Sequence, residues 1–250
     1  MATSLKGKVA LVTGSARGIG KAIALRYAQL GAALAVNYAR DEKSAADTVA
    51  EITRGGGRAI AVQGDVSNVA DIDRLFAATV DRFGGVDVVV ANAGLEQVSQ
   101  RVLEITEADF DRLFSVNTRG TFFTLQRAAN YVNDNGRIIY VGSSTTRLPN
   151  PGYALYGGSK VAPQYVVEVL AKELGHRGVT VNSILPTAIE GAGAHAGGAQ
   201  ERVREYVRST RPIARMGTLD DVANAAEYLA SELASFVSGQ HLLLSGGASA

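Results

Sequence analysis

The chain has 250 residues, of which 46% are hydrophobic and 20% are charged, and its formal net charge is +1. This composition is typical of a globular α/β domain with a sizeable core, and the balanced charge offers no basic stripe for nucleic acid. The chain has no cysteine, which excludes disulfides and thiolate chemistry. Its three histidines, His176, His195 and His241, are too widely spaced to suggest a metal site. Since no secretory leader or run of 18 apolar residues is present, we expect a cytoplasmic protein without a membrane partner.

Apolar runs alternate with helical periodicities along the whole chain, which predicts one α/β domain over residues 1–250. The predicted strands cover residues 8–13, 33–38, 59–63, 86–92, 137–143, 180–185 and 240–244. The predicted helices cover about residues 18–30, 42–55, 69–83, 107–133, 153–175 and 219–231, and a capping box at Thr106 and Asp109 opens the fourth. Because several strands are near-continuous apolar runs, we expect a doubly wound (Rossmann) sheet of seven parallel strands with helices on both faces.

One long irregular insert interrupts this alternation, at about residues 187–218. It begins with a glycine-rich run, and a helix is predicted near 199–209. A loop of this length in a compact domain usually serves as a lid or a binding segment.

The first predicted strand runs directly into a glycine-rich turn, residues 13–20, that opens the first helix. Glycines allow a tight turn and a close approach of the backbone to a pyrophosphate, and the helix N-terminus offers free N–H groups and a positive dipole end. The spacing, Gly-x-x-x-Gly-x-Gly, differs from the common Gly-x-Gly-x-x-Gly fingerprint. A plain glycine-rich turn is the alternative, but the position between the first strand and the first helix favours nucleotide binding.

The end of the second strand bears on which dinucleotide would bind. It reads Asn37-Tyr38-Ala39-Arg40, with no acid before Asp41, whereas NAD enzymes often place an acid here to accept from the ribose hydroxyls. A neutral Asn37 does not repel a 2′-phosphate, and Arg17 together with Arg40 could pair with one. We therefore predict NADPH over NADH, with simple solvation of both arginines as the alternative.

Two further strand ends carry polar residues where open α/β sheets bind ligands. Asp65-Val66 ends the third strand, and Asn92-Ala93-Gly94 ends the fourth. Asp65 could accept from an adenine amino group, and the Asn92–Gly94 backbone could approach the adenosine. Taken singly, each is equally consistent with a turn or cap residue.

Tyr156 and Lys160 are four residues apart in a predicted helix, so their side chains project from one face. A phenol ordinarily has a pKa near 10, and we expect the neighbouring ammonium group to lower that pKa, because a general acid works best nearer the ambient pH. The hydroxyl of Ser143 could then hold a carbonyl oxygen as its charge changes. An aromatic ring packed under an aliphatic lysine stem is the plainer alternative.

Together these residues resemble, in order and spacing, the short-chain dehydrogenases/reductases, particularly the 3-oxoacyl-carrier-protein reductases and related NADPH-dependent ketoreductases. The matching motifs are Thr13-Gly14-x-x-x-Gly18-Ile19-Gly20, Asp65-Val66, Asn92-Ala93-Gly94, Asn117, Ser143 and Tyr156-x-x-x-Lys160. The resemblance implies that Tyr156 is the general acid/base and that Lys160 lowers its pKa and bonds the nicotinamide ribose. It also implies that Ser143 orients the carbonyl and that Asn117 holds a water linking Lys160 to a proton relay.

The predicted cofactor-binding residues lie in the glycine-rich turn, at the strand ends and beside the catalytic pair. They are Gly14, Ser15, Arg17, Gly18, Ile19, Gly20, Asn37, Tyr38, Ala39, Arg40, Asp65, Val66, Asn92, Ala93, Gly94, Tyr156, Lys160, Pro186, Thr187 and Ile189.

Four positions depart from the family pattern. Ala91 replaces an asparagine before Asn92, Thr187 replaces a glycine after Pro186, and Gly191 replaces a threonine that commonly helps to hold the cofactor. Pro163 lies inside the helix of the catalytic pair, where it removes a backbone bond to Ser159 and should bend the axis.

The predicted activity is NADPH-dependent reduction of a ketone or aldehyde to an alcohol, or the reverse, by hydride transfer. The alternatives are an NAD(P)-dependent sugar or steroid alcohol dehydrogenase and, from another class, a non-catalytic dinucleotide-binding sensor.

A small-molecule pocket is expected near Glu96, Ser143, Arg147, Leu148, Gly152, Tyr153 and residues 187–215, with Arg119 and Arg127 as possible contacts for a carrier partner. Surplus apolar side chains on the helices at 107–133 and 153–175 predict a subunit interface, and the family resemblance implies that the assembly is a homotetramer.

Overall fold

Seven parallel strands form one sheet in the computed structural model, which describes residues 3–248. The strand order is β3-β2-β1-β4-β5-β6-β7. The strands are β1 (Val9–Val12), β2 (Ala33–Tyr38), β3 (Arg58–Gln63), β4 (Val86–Ala91), β5 (Val132–Val141), β6 (Thr180–Pro186) and β7 (His241–Leu244). The order reverses between β1 and β4, and a crevice for ligands opens beyond the carboxyl ends of the strands at such a reversal.

Helices cover both faces of this sheet. One face carries α1 (Gly18–Gln29), α2 (Glu42–Arg54) and α8 (Leu219–Ala230), and the other carries α3 (Val69–Phe83), α5 (Thr121–Tyr131) and α6 (Ala154–Leu174). The remaining helices are α4 (Glu107–Phe114), which contacts α6, and α7 (Glu201–Thr210), which lies in the insert. The capping box predicted for α4 is present, because Thr106 and Asp109 each accept a hydrogen bond from the other's backbone N–H.

Two apolar cores sandwich the sheet, and successive residues of each strand alternate between them. Along β1, Ala10 and Val12 belong to the core under α1 and α8, whereas Leu11 belongs to the core under α3 and α5. The strands are therefore buried on both faces, which confirms the doubly wound architecture predicted from their apolar runs. Within residues 3–248, no helix combines the length and apolar character needed to cross a bilayer.

The predicted helix over 107–133 is in fact three segments, and β5 begins earlier than expected. A π-helical stretch, Ser115–Gly120, separates α4 from α5. Gly120 lets this stretch approach the loop after β3, since a Cβ there would lie 2.7 Å from the carbonyl oxygen of Val66. π-helical turns often mark functional sites, and this one carries Asn117.

Pro163 lies in the middle of α6, which continues on both sides of it. A proline has no N–H to donate to the carbonyl four residues before it, here that of Ser159. The hydroxyl of Thr118 donates to that carbonyl oxygen instead, at 2.9 Å. The π-helical stretch thus replaces the hydrogen bond that the sequence predicted to be lost, and α6 remains one helix.

This replacement predicts a specific energetic coupling between Thr118 and Pro163. Thr118→Val should lower the free energy of unfolding by about 1–2 kcal/mol, because it leaves the Ser159 carbonyl without a partner. In a Pro163→Ala background residue 163 regains its N–H, so the same substitution should cost less. Chemical denaturation of the four proteins of this double-mutant cycle measures the difference.

Thr124→Val is the matched control, because the Thr124 hydroxyl donates to Gly120 one turn back, remote from Pro163 in the chain. Thr124→Val should lower the free energy of unfolding by the same amount in the wild-type and the Pro163→Ala backgrounds. An equal cost for Thr118→Val in both backgrounds would contradict the coupling.

Candidate active site

The glycine-rich turn after β1 has the shape of a phosphate cradle. Gly14 and Gly18 have φ angles of +63° and +56°, which L side chains rarely adopt. At Gly20 a Cβ would lie 2.5 Å from the carbonyl oxygen of Gly14, so only glycine fits there. No side chain caps α1 and its first turn carries no acid, as far as residues 3–248 show. The helix N-terminus is therefore open to an anion, and these features fit a dinucleotide pyrophosphate.

The turn is held in place by the end of β4. The side-chain amide of Asn92 donates to the carbonyls of Thr13 and Gly14 at 2.9 and 3.2 Å. In return, the Thr13 hydroxyl accepts from the backbone N–H groups of Asn92 and Ala93. A Cβ at Gly14 would lie 2.9 Å from the Cα of Ala93, so the two strand ends touch backbone to backbone. Ser15 is buried and donates to the Val12 carbonyl at 2.7 Å.

Asn37 is nearly fully buried, and its side chain forms hydrogen bonds within the protein. Its Oδ1 accepts from the Gly14 backbone N–H, and its Nδ2 donates to the Gly64 carbonyl, each at 2.9 Å. The side chain therefore ties the glycine-rich turn to the end of β3. Both of its polar atoms are thus bonded within the protein, and its place among the cofactor-binding residues stays a prediction.

The residues beyond β2 are more accessible. Arg17, Ala39 and Arg40 are exposed, and Tyr38 is partly buried. Asp41, the first acid after β2, accepts from the backbone N–H and the hydroxyl of Ser44 at 2.9 and 2.7 Å and caps α2. Those two bonds lower the pKa of Asp41, and the charge of Arg17 contributes in the same direction. The acid is thus engaged with its own helix.

Asp65 and Val66 lie at the end of β3, as predicted. Asp65 is partly buried, and one of its carboxylate oxygens accepts from the backbone N–H and the hydroxyl of Ser67. Val66 is buried under the π-helical stretch at Gly120. Asp65 thus forms a turn of its own, and its contact with adenine stays a prediction.

Tyr156, Lys160 and Ser143 meet at the carboxyl ends of β4 and β5. The Lys160 Nζ lies 5.9 Å from the centre of the Tyr156 ring and 3.4 Å from the Val141 carbonyl oxygen. Gly94 makes room for it, since a Cβ there would lie 2.9 Å from that nitrogen. Ser143 follows β5 and accepts from the Thr145 hydroxyl at 2.9 Å. The structure thus brings together the three residues that the sequence singled out.

Asn117 is fully buried beside this group. Its side chain pairs with the backbone of Leu95, accepting from the N–H and donating to the carbonyl, both at 2.8 Å. It also donates to the Ser159 hydroxyl at 2.9 Å. The side chain therefore fixes the loop after β4 against α6, and its role in a proton relay stays a prediction.

The acidities of Tyr156 and Lys160 differ from the sequence-based expectation. Burial raises the pKa of Tyr156 above its ordinary value and the negative charge of Glu96 raises it further, whereas a hydrogen bond with Ser143 lowers it. Burial also lowers the pKa of Lys160 to about 8, against the effect of Glu96. The predicted net lowering of the phenol pKa by the ammonium is therefore wrong, because burial of the phenol and the charge of Glu96 raise that pKa instead.

Glu96 connects the loop after β4 to the insert. Its carboxylate accepts from the Ala194 backbone N–H at 2.6 Å and lies against Gly193, where a Cβ would collide with it. Sequence reasoning placed Glu96 in the pocket but missed this contact, because the two residues are far apart in the chain.

The backbone explains why the family threonine is missing at Gly191. The φ of Gly191 is +82°, which disfavours a β-branched residue.

A cavity of about 1060 Å³ is lined by Ser143, Tyr156 and residues of the insert. Its walls include the predicted residues Ile19, Glu96, Ser143, Leu148, Tyr153, Tyr156, Pro186, Thr187 and Ile189. Arg147 and Gly152 are not part of the lining: Arg147 is exposed, and Gly152 packs against Ser99. The possible carrier contacts are engaged elsewhere, because Arg119 donates to the Ser67 carbonyl and Arg127 pairs with Asp73.

The buried ammonium predicts a gain in stability on its removal. Lys160→Met should raise the free energy of unfolding at pH 7 by about 3 kcal/mol, since a pKa shift from 10.5 to about 8 corresponds to that amount. Between these two values the unfolded chain binds more protons, so wild-type stability rises with pH while that of the variant does not. The gain should therefore shrink above pH 8 and vanish near pH 10.5, as measured by denaturation of the cofactor-free protein.

Lys172→Met is the matched control, because Lys172 lies on the same helix and is exposed. It should leave the free energy of unfolding nearly unchanged throughout this pH range. A Lys160→Met protein that is less stable than the wild type at pH 7 would contradict the prediction.

Comparison with known proteins gives extensive matches. Residues 14–249 match the family model described as enoyl-(acyl carrier protein) reductase. The chain is 39% identical over 256 residues to the hydroxynaphthalene reductase-like protein Arp2 of Metarhizium brunneum, with 98% of this chain and 96% of that protein covered.

Two solved structures show the same similarity in three dimensions. A short-chain dehydrogenase from Burkholderia cenocepacia in complex with NADP is 36% identical, has a TM-score of 0.89, and matches over 98% of this chain and 99% of its own. The angucycline C-6 ketoreductase LanV with bound NADP is 35% identical, has a TM-score of 0.91, and matches over 99% and 98%. With matches of this extent, the chain belongs to the short-chain dehydrogenase/reductase family and is an NAD(P)-dependent oxidoreductase.

Proposed function

We propose that the protein is an NADPH-dependent ketoreductase that uses Tyr156 as its general acid. The observation that carries this proposal is the meeting of Tyr156, Lys160 and Ser143 beside the cavity that Ile19 and Ile189 also line. The names of the hydroxynaphthalene reductase-like relative and of the angucycline ketoreductase support carbonyl reduction.

The chain supplies a site for each part of the cofactor. The cradle formed by Gly14, Gly18 and Gly20 would hold the pyrophosphate, and Lys160 would donate to the nicotinamide ribose. When bound, a reduced nicotinamide supplies the hydride that adds to the carbonyl carbon. Ser143 would donate to the carbonyl oxygen and hold it as its negative charge develops.

Hydride addition leaves a negative charge on the carbonyl oxygen, and a proton has to neutralise it. As the carbon–oxygen π bond breaks, its electron pair moves to oxygen, and Tyr156 would transfer its phenolic proton there. Because burial raises the pKa of Tyr156, the phenol remains protonated at neutral pH and is ready to donate.

The preference for NADPH rests on the charges beyond β2. Arg17 and Arg40 are exposed beside the turn, while the carboxylate of Asp41 is bonded to Ser44. Two guanidinium groups that face solvent suit a 2′-phosphate. Two related structures contain NADP.

The rival functions explain less of the structure. A dinucleotide sensor has no need for a phenol beside a buried lysine. Burial of the Lys160 ammonium lowers its pKa and destabilises the folded protein, a cost that a sensor would have no reason to carry. A sugar or steroid alcohol dehydrogenase would share the same catalytic group. The names of the reductase relatives favour the reductive direction over that alternative.

We also propose a homotetramer, in the cytoplasm. Exposed apolar side chains of α5 and α6, including Phe122, Val161 and Tyr165, supply an apolar surface for subunit contact. A monomer by light scattering at micromolar concentration would contradict the assembly.

Tyr156→Phe tests the general acid. It should lower kcat by at least about a hundredfold with any accepted ketone, the usual contribution of a positioned proton donor, while the dissociation constant of NADPH changes little. Stopped-flow turnover and fluorescence titration of NADPH measure the two quantities separately.

Tyr153→Phe is the matched control, because this second cavity tyrosine lies on the wall without Lys160 beside it. Its kcat should fall far less than that of Tyr156→Phe. If Tyr156→Phe retains wild-type turnover, Tyr156 is not the proton donor.

The cofactor preference is tested by kinetics with both nucleotides. NADPH should give a kcat/KM at least about tenfold above that of NADH, which corresponds to about 1.4 kcal/mol. Arg17→Gln with Arg40→Gln should abolish most of the difference by raising KM for NADPH alone. A preference for NADH in the wild type would overturn this part of the proposal.

A further inference from the structure

Helix α7 presents a stripe of polar side chains to the cavity. Arg202, Tyr206 and Thr210 follow one another at intervals of four residues, which places them on one face of the helix. All three line the cavity, as does Arg211 at the end of α7. Helix α7 and the residue that follows it thus bring two arginines to the cavity, Arg202 exposed and Arg211 partly buried.

The other arginines of α7 are paired with acids. Arg204 forms ion pairs with Glu190 and Glu201, and Arg208 forms one with Glu201 at 2.8 Å. By contrast, among residues 3–248 no acid pairs with Arg202 or Arg211 within ion-pair distance. Arg204 and Arg208 are therefore paired with acids, whereas Arg202 and Arg211 line the cavity without an acidic partner among residues 3–248.

Arg211 is partly buried, and burial lowers its pKa. A guanidinium withdrawn from water without an acidic partner is destabilising, and an anion that entered the cavity would offset this cost. Tyr153, Tyr206 and Leu148 supply flat or apolar surface in the same cavity. The wall therefore suits an aromatic body that carries a negative charge.

The catalytic side of the cavity carries charges of both signs. Glu96 lines the cavity, and its negative charge raises the pKa of Tyr156 and of Lys160, whereas the Lys160 ammonium is itself buried beside the Tyr156 ring. A substrate anion would meet Glu96 on that side, whereas no acid among residues 3–248 pairs with Arg202 or Arg211 within ion-pair distance. The side of α7 is therefore the more favourable place for the anion.

We propose that Arg202 and Arg211 form an anion subsite for an aromatic ketone that carries a carboxylate or phosphate remote from its carbonyl. This inference rests on the proposed ketoreductase function and names the substrate class of the same cavity. It assigns Arg202 and Arg211 to substrate specificity and leaves the reaction itself to Tyr156 and Ser143.

Steady-state kinetics with a matched substrate panel tests the subsite. The panel contains a tetralone with a carboxylate on its aromatic ring, distal to the ketone, together with the methyl ester and the phosphate monoester of the same skeleton. At saturating NADPH the wild type should prefer the carboxylate over the ester by about tenfold in kcat/KM, a typical effect of a partly desolvated ion pair. The ratio should fall to near one in the Arg202→Gln/Arg211→Gln double variant, and the phosphate arm shows which anion is preferred.

Arg208→Gln is the control, because Arg208 belongs to the same helix but is paired with Glu201. It should keep the wild-type ratio. An equal ratio in the wild type and the double variant would overturn the subsite, and reduction of the ester in that experiment would leave the ketoreductase function intact. A change in KM for NADPH without a change in the ratio would assign the arginines to the cofactor and also overturn the proposal.

Calorimetric titration tests the same subsite without turnover. Naphthoate should bind the NADPH-loaded wild type at least about tenfold more tightly than methyl naphthoate, and the double variant should lose this difference. Equal binding of the two compounds by the wild type would refute the anion subsite. If no ketone is reduced, the proposed function fails on its own, while the titration still decides the subsite.

Discussion

A lysine ammonium held out of water, with no acid in direct contact among residues 3–248, is the constraint on which the site depends. Lys160 is 3% exposed, and its Nζ lies near the Val141 carbonyl and the rings of Tyr140 and Tyr156. Carbonyl dipoles and aromatic faces stabilise a cation only in part. The fold therefore carries an incompletely solvated charge at the edge of the sheet, and the hydroxyls of a bound ribose would complete its surroundings.

Several supports hold this charge where it can act. Gly94 removes the side chain that would displace the ammonium, and Asn117 fixes the adjacent backbone of Leu95. Thr118, the next residue of the same π-helical stretch, satisfies the Ser159 carbonyl that Pro163 leaves free. One irregular stretch of helix thus secures both the loop after β4 and the helix that carries Tyr156 and Lys160.

Much of this could be predicted from the sequence because it depends on local chemistry. The alternation of apolar runs indicated the strands, and glycine spacing indicated the turn at Gly14–Gly20. The four-residue interval placed Tyr156 and Lys160 on one face. Asn117 and Ser143 were found through the family resemblance rather than through their own spacing.

The remaining features depend on contacts between distant parts of the chain. No periodicity reveals that Thr118 would reach Ser159, or that Glu96 would accept from Ala194. The π-helical stretch widens one turn without interrupting the helical run of residues. The sequence pattern therefore predicts one continuous helix over 107–133. The predicted pKa of Tyr156 is wrong because that pKa depends on the burial of the phenol and on the charge of Glu96, which a sequence interval does not report.

The two bonds made by the side chain of Asn37 limit how the choice of nucleotide can evolve. An aspartate there would still accept from Gly14, but its second oxygen would face the Gly64 carbonyl, where Asn37 now donates. Two oxygens with no proton between them repel each other in a buried site. An acid at position 37 would therefore loosen the cradle itself, whichever nucleotide the protein prefers.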